Sequence, residues 1–299
     1  MTKSGKTKFL NPETVAILDS MSLRARLVVE GYIIGHHRSP FHGFSVEFAE
    51  HRSYEPGDEI RHIDWKLFGK TDRLYVKRYE EETNLSAHLI LDISKSMMYK
   101  SSTVSKLNYA NTLAAALSYL MIKQQDAVGL VQFSNHIDSF ILPKSRPSHL
   151  SSILNKLDDD KFGRDTQIEK VLHEMAERIL KRGLVILISD LLDDPQKILD
   201  GLKHFRHNNQ EVIVFQLFDR KELEFDFNNR TKFLDMETGE EIITEPWHIR
   251  SSYINLLSER QKFFRKNCQE NLIDYFPIIT DQNLDLCITE YLKKRKKLG

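Results

Sequence analysis

From residue 85 onward, apolar runs of strand length alternate with amphipathic helical segments, and this rhythm limits the fold more than any other feature of the chain. His88–Asp92, Val128–Phe133, Leu184–Ser189 and Val212–Phe218 are short, mostly apolar runs. Between them, Leu107, Ala110, Leu113, Ala114, Leu117, Leu120 and Met121 recur at helical spacing. Ile168, Val171, Leu172, Met175 and Ile179 do the same, as do Ile198, Leu199, Leu202 and Phe205. A strand that is apolar along its whole length has no face for water and must be covered on both sides. Such strands, separated by helices, build an α/β doubly wound, mostly parallel sheet with helices on each face. Val128–Phe133 and Ile137–Leu142 read as a hairpin within it.

Residues 219–246 break the rhythm: they are polar, and Glu237-Thr238-Gly239-Glu240 reads as a hairpin turn. A long helix follows, marked by Ile249, Tyr253, Leu256, Leu257 and Phe264, then a strand at Ile273–Thr280 and a last helix at Leu284–Leu292. The basic run Lys293 to Lys297 suits a helix C-terminus, where the dipole favours cations.

The first 84 residues have a different texture. Residues 1–10 read as loose, and residues 11–31 as one helix, with Asn11 as cap, Pro12 in the first turn and Glu13 favoured by the dipole. Residues 32–83 are punctuated by Gly31, Gly35, Pro40, Gly43, Pro56, Gly57 and Gly69 and are rich in aromatics, which points to a small antiparallel β module. Pro56-Gly57 suits a type II turn and Arg73 to Tyr79 a strand. The expected organisation is an N-terminal helix and small β module over 1–84, then a larger α/β domain over 85–299 with a hairpin insertion around 220–246. A length of 299 residues agrees with two domains at about 150 residues each.

Charge and cysteine usage narrow the function. The 43 basic and 43 acidic residues cancel, against the cationic surplus that general nucleic-acid binding demands. No apolar run approaches the roughly 18–20 residues that span a bilayer, so no transmembrane segment is expected. Met1 to Lys6 opens polar with no apolar run behind it, unlike a secretory leader. The two cysteines, Cys268 and Cys287, build no disulfide framework and lack metal-ligand spacing. A cytoplasmic location is the expectation.

Three features converge on one chemistry. Asp92-Ile93-Ser94-Lys95-Ser96 directly follows an apolar strand, Thr166 opens a helix after Gly163-Arg164-Asp165, and Asp190 ends the strand Leu184–Ser189. In an open α/β sheet, ligands bind beyond the carboxyl ends of the strands. Two carboxylates and three hydroxyls form an all-oxygen set suited to a hard divalent cation, Mg²⁺ (or Mn²⁺), with waters completing the shell. An ion with few protein charges around it stays electrophilic and can accept a carboxylate from a partner. The plainer reading of each residue alone is local: Ser, Thr and Asp after strands commonly cap helices or close turns.

Asp92, Ser94, Ser96, Thr166 and Asp190 resemble the five positions of the metal-ion-dependent adhesion site of von Willebrand factor A domains. The stretch Arg52-x-Tyr54-x-Pro56-Gly57-Asp58-x-x-Arg61-x-Ile63-Asp64-Trp65, continued by Arg73-Leu74-Tyr75-Val76-Lys77-Arg78 and preceded by Gly43-Phe44-x-x-Glu47-Phe48, resembles the signature of the bacterial family called domain of unknown function 58. The resemblance covers roughly residues 11–296. It departs from the pattern in two places: Gly-Arg-Asp stands before Thr166 where relatives often carry paired glycines, and Leu191 follows Asp190 where Gly is frequent. The resemblance implies a von Willebrand factor A-like fold. It also implies an interaction module acting beside a MoxR-type AAA+ ATPase and membrane-bound von Willebrand A proteins, in chaperone-like assembly or metal insertion.

The mixed charges at 47–82, with Arg52, Arg61, Arg73 and Arg78 among Glu47, Asp58, Asp64 and Glu80 to Glu82, suit internal ion pairs that fix the small module; an Arg- and aromatic-rich docking face is the alternative. Phosphate-loop, dinucleotide and nucleophile-elbow motifs are missing from the sequence. His173-Glu174-Met175-Ala176-Glu177 begins like a zincin helix but lacks the second His, and His36, His37 and His42 lie in a loop punctuated by Gly and Pro. The expectation is therefore a non-enzymatic protein-interaction module with no catalytic residues. A Mg²⁺-dependent hydrolase acting on phosphoesters is the competing class, since the same ion could activate water.

Overall fold

The computed structural model describes residues 11–18, 20–35, 50–54, 65–78, 85–159, 167–227, 229–235 and 239–298. Its centre is a six-stranded sheet of β3 (Ser86–Asp92), β4 (Ala127–Phe133), β5 (Ile137–Lys144), β6 (Leu184–Ser189), β7 (Glu211–Phe218) and β10 (Ile273–Ile279). The spatial order is β10-β7-β6-β3-β4-β5. Every neighbouring pair is parallel except β4 with β5, the hairpin at the edge. The expected α/β, doubly wound, mostly parallel sheet is therefore present. Counted by chain order, the strands run 3-2-1-4-5-6, so the winding reverses between β3 and β6.

The apolar strands are buried because each face meets a helix layer. Leu89, Leu91, Leu130, Ile186 and Phe215 point into one cluster with α2 (Met21–Gly35), α4 (Lys106–Lys123), α5 (Pro147–Asp158) and α10 (Asp285–Leu298). Ile90, Val131, Val185, Leu187 and Val214 point to the other face. There they meet α6 (Ile168–Arg178), α7 (Pro195–His207) and α9 (Pro246–Glu270). The change of partner at each successive residue is the period-2 alternation of a strand.

The N-terminal segment differs from the single helix expected over 11–31. It is two helices, α1 (Pro12–Ala16) and α2, separated at residues 17–20. The Asn11 side chain caps α1 by accepting from the Glu13 N–H at 2.8 Å. A second start follows because the Asp158 carboxylate accepts from the Met21 N–H at 3.2 Å and the Arg24 side chain donates to the carbonyls of Ala16 and Leu18. Val15, Met21, Ala25, Val28 and Val29 join the same apolar cluster as α4.

β1 (Glu50–Ser53) and β2 (Tyr75–Arg78) pair antiparallel, as the small module requires. Between them lies a helix, α3 (Trp65–Thr71), that the β-rich reading did not contain. Pro56-Gly57, Asp58, Arg61, Asp64, the histidines 36, 37 and 42, and Glu80 to Glu82 lie outside the described residues. In the insertion, α8 (Arg220–Glu224) precedes an antiparallel pair, β8 (Thr231–Leu234) with β9 (Glu241–Thr244). Gly239 takes φ 77° between them, a conformation that suits Gly. Both cysteines are free and buried. Among the described residues, no helix is long and apolar enough to cross a membrane.

Candidate functional site

β3 and β6 are adjacent and parallel, so their carboxyl ends deliver Asp92 and Asp190 to one edge of the sheet at the reversal of winding. Both are buried, Asp92 completely. The Asp92 carboxylate accepts from the Ser189 hydroxyl at 2.6 Å and from the Ser94 N–H at 2.9 Å. Burial and the neighbouring Asp190 charge push its carboxyl up to about 7.

Ser94 occupies the cap position of a 3-10 turn, Lys95–Met98, but its hydroxyl makes no capping bond. It meets the Ser96 hydroxyl at 3.0 Å instead. The structure thus brings together Asp92, Ser94, Ser96 and the strand end carrying Asp190, and the local capping role fails for Ser94. Thr166 lies outside the described residues, which resume at Gln167, directly before α6.

The loop after β6 is held from several sides. Gln216 on β7 donates its amide to the Asp190 carbonyl at 3.0 Å. Leu191 takes φ 56°, the left-handed conformation that the frequent Gly would adopt freely. Strain of this kind, of order 1–3 kcal/mol, survives only where surrounding contacts fix it. Here Arg260 of α9 supplies them, donating to the carbonyls of Leu191 and Asp193. The Asp193 carboxylate in turn accepts from the Ile168 N–H at 3.1 Å, tying the loop to the start of α6.

One residue absent from the sequence reading dominates the electrostatics. Lys106, the first residue of α4, is almost fully buried, and its Nζ donates to Asp190 Oδ2 at 2.8 Å and to Glu222 Oε1 at 2.7 Å. Burial alone would lower its ammonium pKa, but Asp190 and Glu222 together hold it above the ordinary value. Glu222 also accepts from the Asp219 N–H, while the Asp219 side chain accepts from the Lys221 N–H, which makes a capping box for α8. Burial raises the Glu222 carboxyl against the pull of Lys106. Two sequence signals marked this cluster. A Lys at a helix N-terminus opposes the dipole, and Asp219-x-x-Glu222 is a capping-box pattern.

Two carboxyl groups thus share one ammonium. Among the described residues, Asp190 Oδ1 has only a long contact, from the Leu192 N–H at 3.4 Å. Among the described residues no three His, Cys, Asp or Glu side chains converge as a metal cage. The set is two carboxylates plus hydroxyls, and its acid excess and uncapped serines fit a small hard cation.

Residues 50–262 match the family described as "Protein of unknown function DUF58". The chain belongs to the DUF58 family. The matched stretch holds every candidate ligand, and also Lys106, Glu222 and Arg260. Among curated proteins, the chain is 22% identical to "Uncharacterized protein Mb1516" of Mycobacterium bovis and to "Uncharacterized protein Rv1480" of Mycobacterium tuberculosis, each over 77% of this chain and 73% of theirs. Among solved structures, it is similar to an aerotolerance-related membrane protein from Bacteroides fragilis. The TM-score is 0.50 at 16% identity, over 71% of this chain and 99% of that one. The SpRpn10 VWA domain is a more distant likeness, with TM-score 0.39 at 11% identity over 70% of this chain and 95% of that one. The strand order and two helix layers make this DUF58 chain von Willebrand factor A-like.

Proposed function

We propose that the chain is a non-enzymatic protein-interaction module that grips a partner carboxylate through Mg²⁺ or Mn²⁺ at the β3–β6 edge. Asp92, Ser94, Ser96, Thr166 and Asp190 would hold the ion, directly or through water. The observation that carries this reading is the buried acid excess beside two serine hydroxyls that cap nothing. When bound, the ion supplies an electrophilic coordination position. The chain's own residues do the rest: Ser189 and the Ser94 N–H orient Asp92, Arg260 fixes the loop of Asp190, and Lys106 limits how many negative charges the ion must balance. Family resemblance extends the reading to an adaptor for a MoxR-type AAA+ ATPase, with membrane-bound von Willebrand A proteins as further partners, acting in the cytoplasm.

The test has two stages. Mg²⁺ titrated into the wild type and Asp92→Ala is expected to raise the melting temperature of the wild type only. Capture with a purified MoxR-type ATPase is then compared in Mg²⁺ and in EDTA. Retention by wild type with Mg²⁺ alone supports the bridge, and equal retention in all arms overturns it. Phosphoester turnover lost in Asp92→Ala would move the reading to a hydrolase.

A further inference from the structure

The zincin-like start at His173 lacked a second histidine on its own helix, and the fold supplies one from the next. His173 of α6 and His204 of α7 face each other with Nδ1 atoms 3.1 Å apart, ring centroids 5.3 Å apart and planes inclined by 46°. Both are half-buried on the helix layer that covers the sheet face opposite α4. A direct hydrogen bond between two neutral rings there needs opposite tautomers, one Nδ1 carrying a proton and the other a lone pair. Two lone pairs converging on a cation satisfy both rings at once.

We propose that His173 and His204 form a binding site for a borderline-soft divalent cation of the Zn²⁺ class, with water filling the remaining positions. At metal–nitrogen distances of about 2.0–2.1 Å, an Nδ1···Nδ1 separation of 3.1 Å gives a ligand–metal–ligand angle of about 100°. That lies between the octahedral and tetrahedral values. Imidazole nitrogens suit Zn²⁺, Cu²⁺ and Ni²⁺, whereas Mg²⁺ prefers oxygen, so this site and the Asp92 edge select different ions.

The pair is held in place before any metal arrives. Gly201 lets the helices approach, since a Cβ there would stand 2.7 Å from Leu172 Cβ. Toward the N-terminal ends, Lys197 pairs with Glu169 at 3.3 Å; toward the C-terminal ends, Asn208 donates to the Ala176 carbonyl at 2.9 Å. Contacts on both sides fix the spacing, so little ordering cost remains for binding.

The experiment uses the full chain without an affinity tag. Zn²⁺ is titrated calorimetrically into the wild type, His173→Gln, His204→Gln and the double variant, with intact folding verified by melting. The sequence holds 12 histidines, so the readout is the difference between proteins. The double variant is expected to lose one equivalent of bound Zn²⁺, and each single variant to lose affinity by about tenfold or more. Identical isotherms for wild type and a folded double variant overturn the site. Should the variants melt early, the wild type alone decides by NMR. Sub-stoichiometric Zn²⁺ must shift the His173 and His204 ring signals together, and their failure to move overturns the proposal.

Discussion

Helix α4 has a buried charge cluster at each end, and the two are built on opposite principles. Past its C-terminus, Asp126 accepts from Arg295 of α10 at 2.6 and 3.1 Å, from the Tyr291 hydroxyl at 3.3 Å and from the Leu85 N–H at 3.3 Å. Among the described contacts one carboxylate meets one planar guanidinium in a fork, and the two charges balance. At its N-terminus, among the described residues, Lys106 is shared between Asp190 and Glu222, with Asp92 close behind, so around that ammonium negative charge exceeds positive. A balanced cluster pins a helix; here it fixes the last helix, α10, to the sheet. An unbalanced one keeps an attraction for a further cation. Comparable burial therefore separates a structural knot from a candidate site by charge count alone.

The largest effects should come from breaking each knot. Arg295→Met leaves Asp126 buried and uncompensated, and Lys106→Met does the same to Asp190 and Glu222. Each should cost about 3–5 kcal/mol of unfolding free energy in denaturant melts without divalent ions. Saturating Mg²⁺ should return about 2–3 kcal/mol to Lys106→Met, as expected for an ion near a hundred times its Kd. It should return nothing to Arg295→Met. Equal responses to Mg²⁺ would erase the distinction between the two ends.

What the sequence made legible follows the same division. Asp92 and Asp190 were readable because each closes an apolar run, and a run covered on both faces has only its ends available for chemistry. The α/β, mostly parallel fold class rested on the same runs. Lys106 went unread because its partners lie 84 and 116 residues away in the chain, although its place in the first turn of α4 opposes the helix dipole. The break at residues 17–20 was hidden for a related reason: its signal is Asp158, on a helix far along the chain, which meets the Met21 N–H. α5 was missed although Pro147, Leu150, Ile153, Leu154 and Leu157 carry helical spacing, and α3 was overridden by the β-like composition around it. His204 completed a pair with His173 only once α6 and α7 were laid side by side.

Two buried groups on β3 sharpen the comparison through pH. His88 finds no hydrogen-bond partner for Nδ1 among the described residues, and burial lowers its pKa from 6.5 to about 4. The unfolded chain therefore takes up a proton first as pH falls, and stability drops between pH 6.5 and 4, by up to about 3 kcal/mol. Asp92 acts with the opposite sign. Its folded pKa of about 7 stands above the ordinary 3.8, so the unfolded chain loses its proton first and stability falls as pH rises from about 4 to 7. The two slopes oppose each other over pH 4–6.5. His88→Gln should expose a stability that declines with rising pH, and Asp92→Asn one that climbs. Parallel profiles for the two variants, read by melts at stepped pH, would show that neither group titrates as its burial dictates.

The smallest expected effect separates a cap from a ligand. Ser105 and Ser94 both precede a helical turn near the N-terminal end of α4, but only the Ser105 hydroxyl accepts from a turn N–H, that of Asn108, at 3.1 Å. Ser105→Ala should therefore cost about 1 kcal/mol whether or not Mg²⁺ is present. Ser94→Ala removes no capping bond, but at a buried position it breaks the contact with Ser96 and the side-chain hydrogen bond to Asp92, so in EDTA it should cost about 1 kcal/mol. Its effect should grow on adding Mg²⁺, as a smaller gain in melting temperature than the wild type shows. If Ser94→Ala behaves as Ser105→Ala does, losing stability equally in EDTA and in Mg²⁺, then Ser94 is a cap and the oxygen set at the sheet edge loses a member.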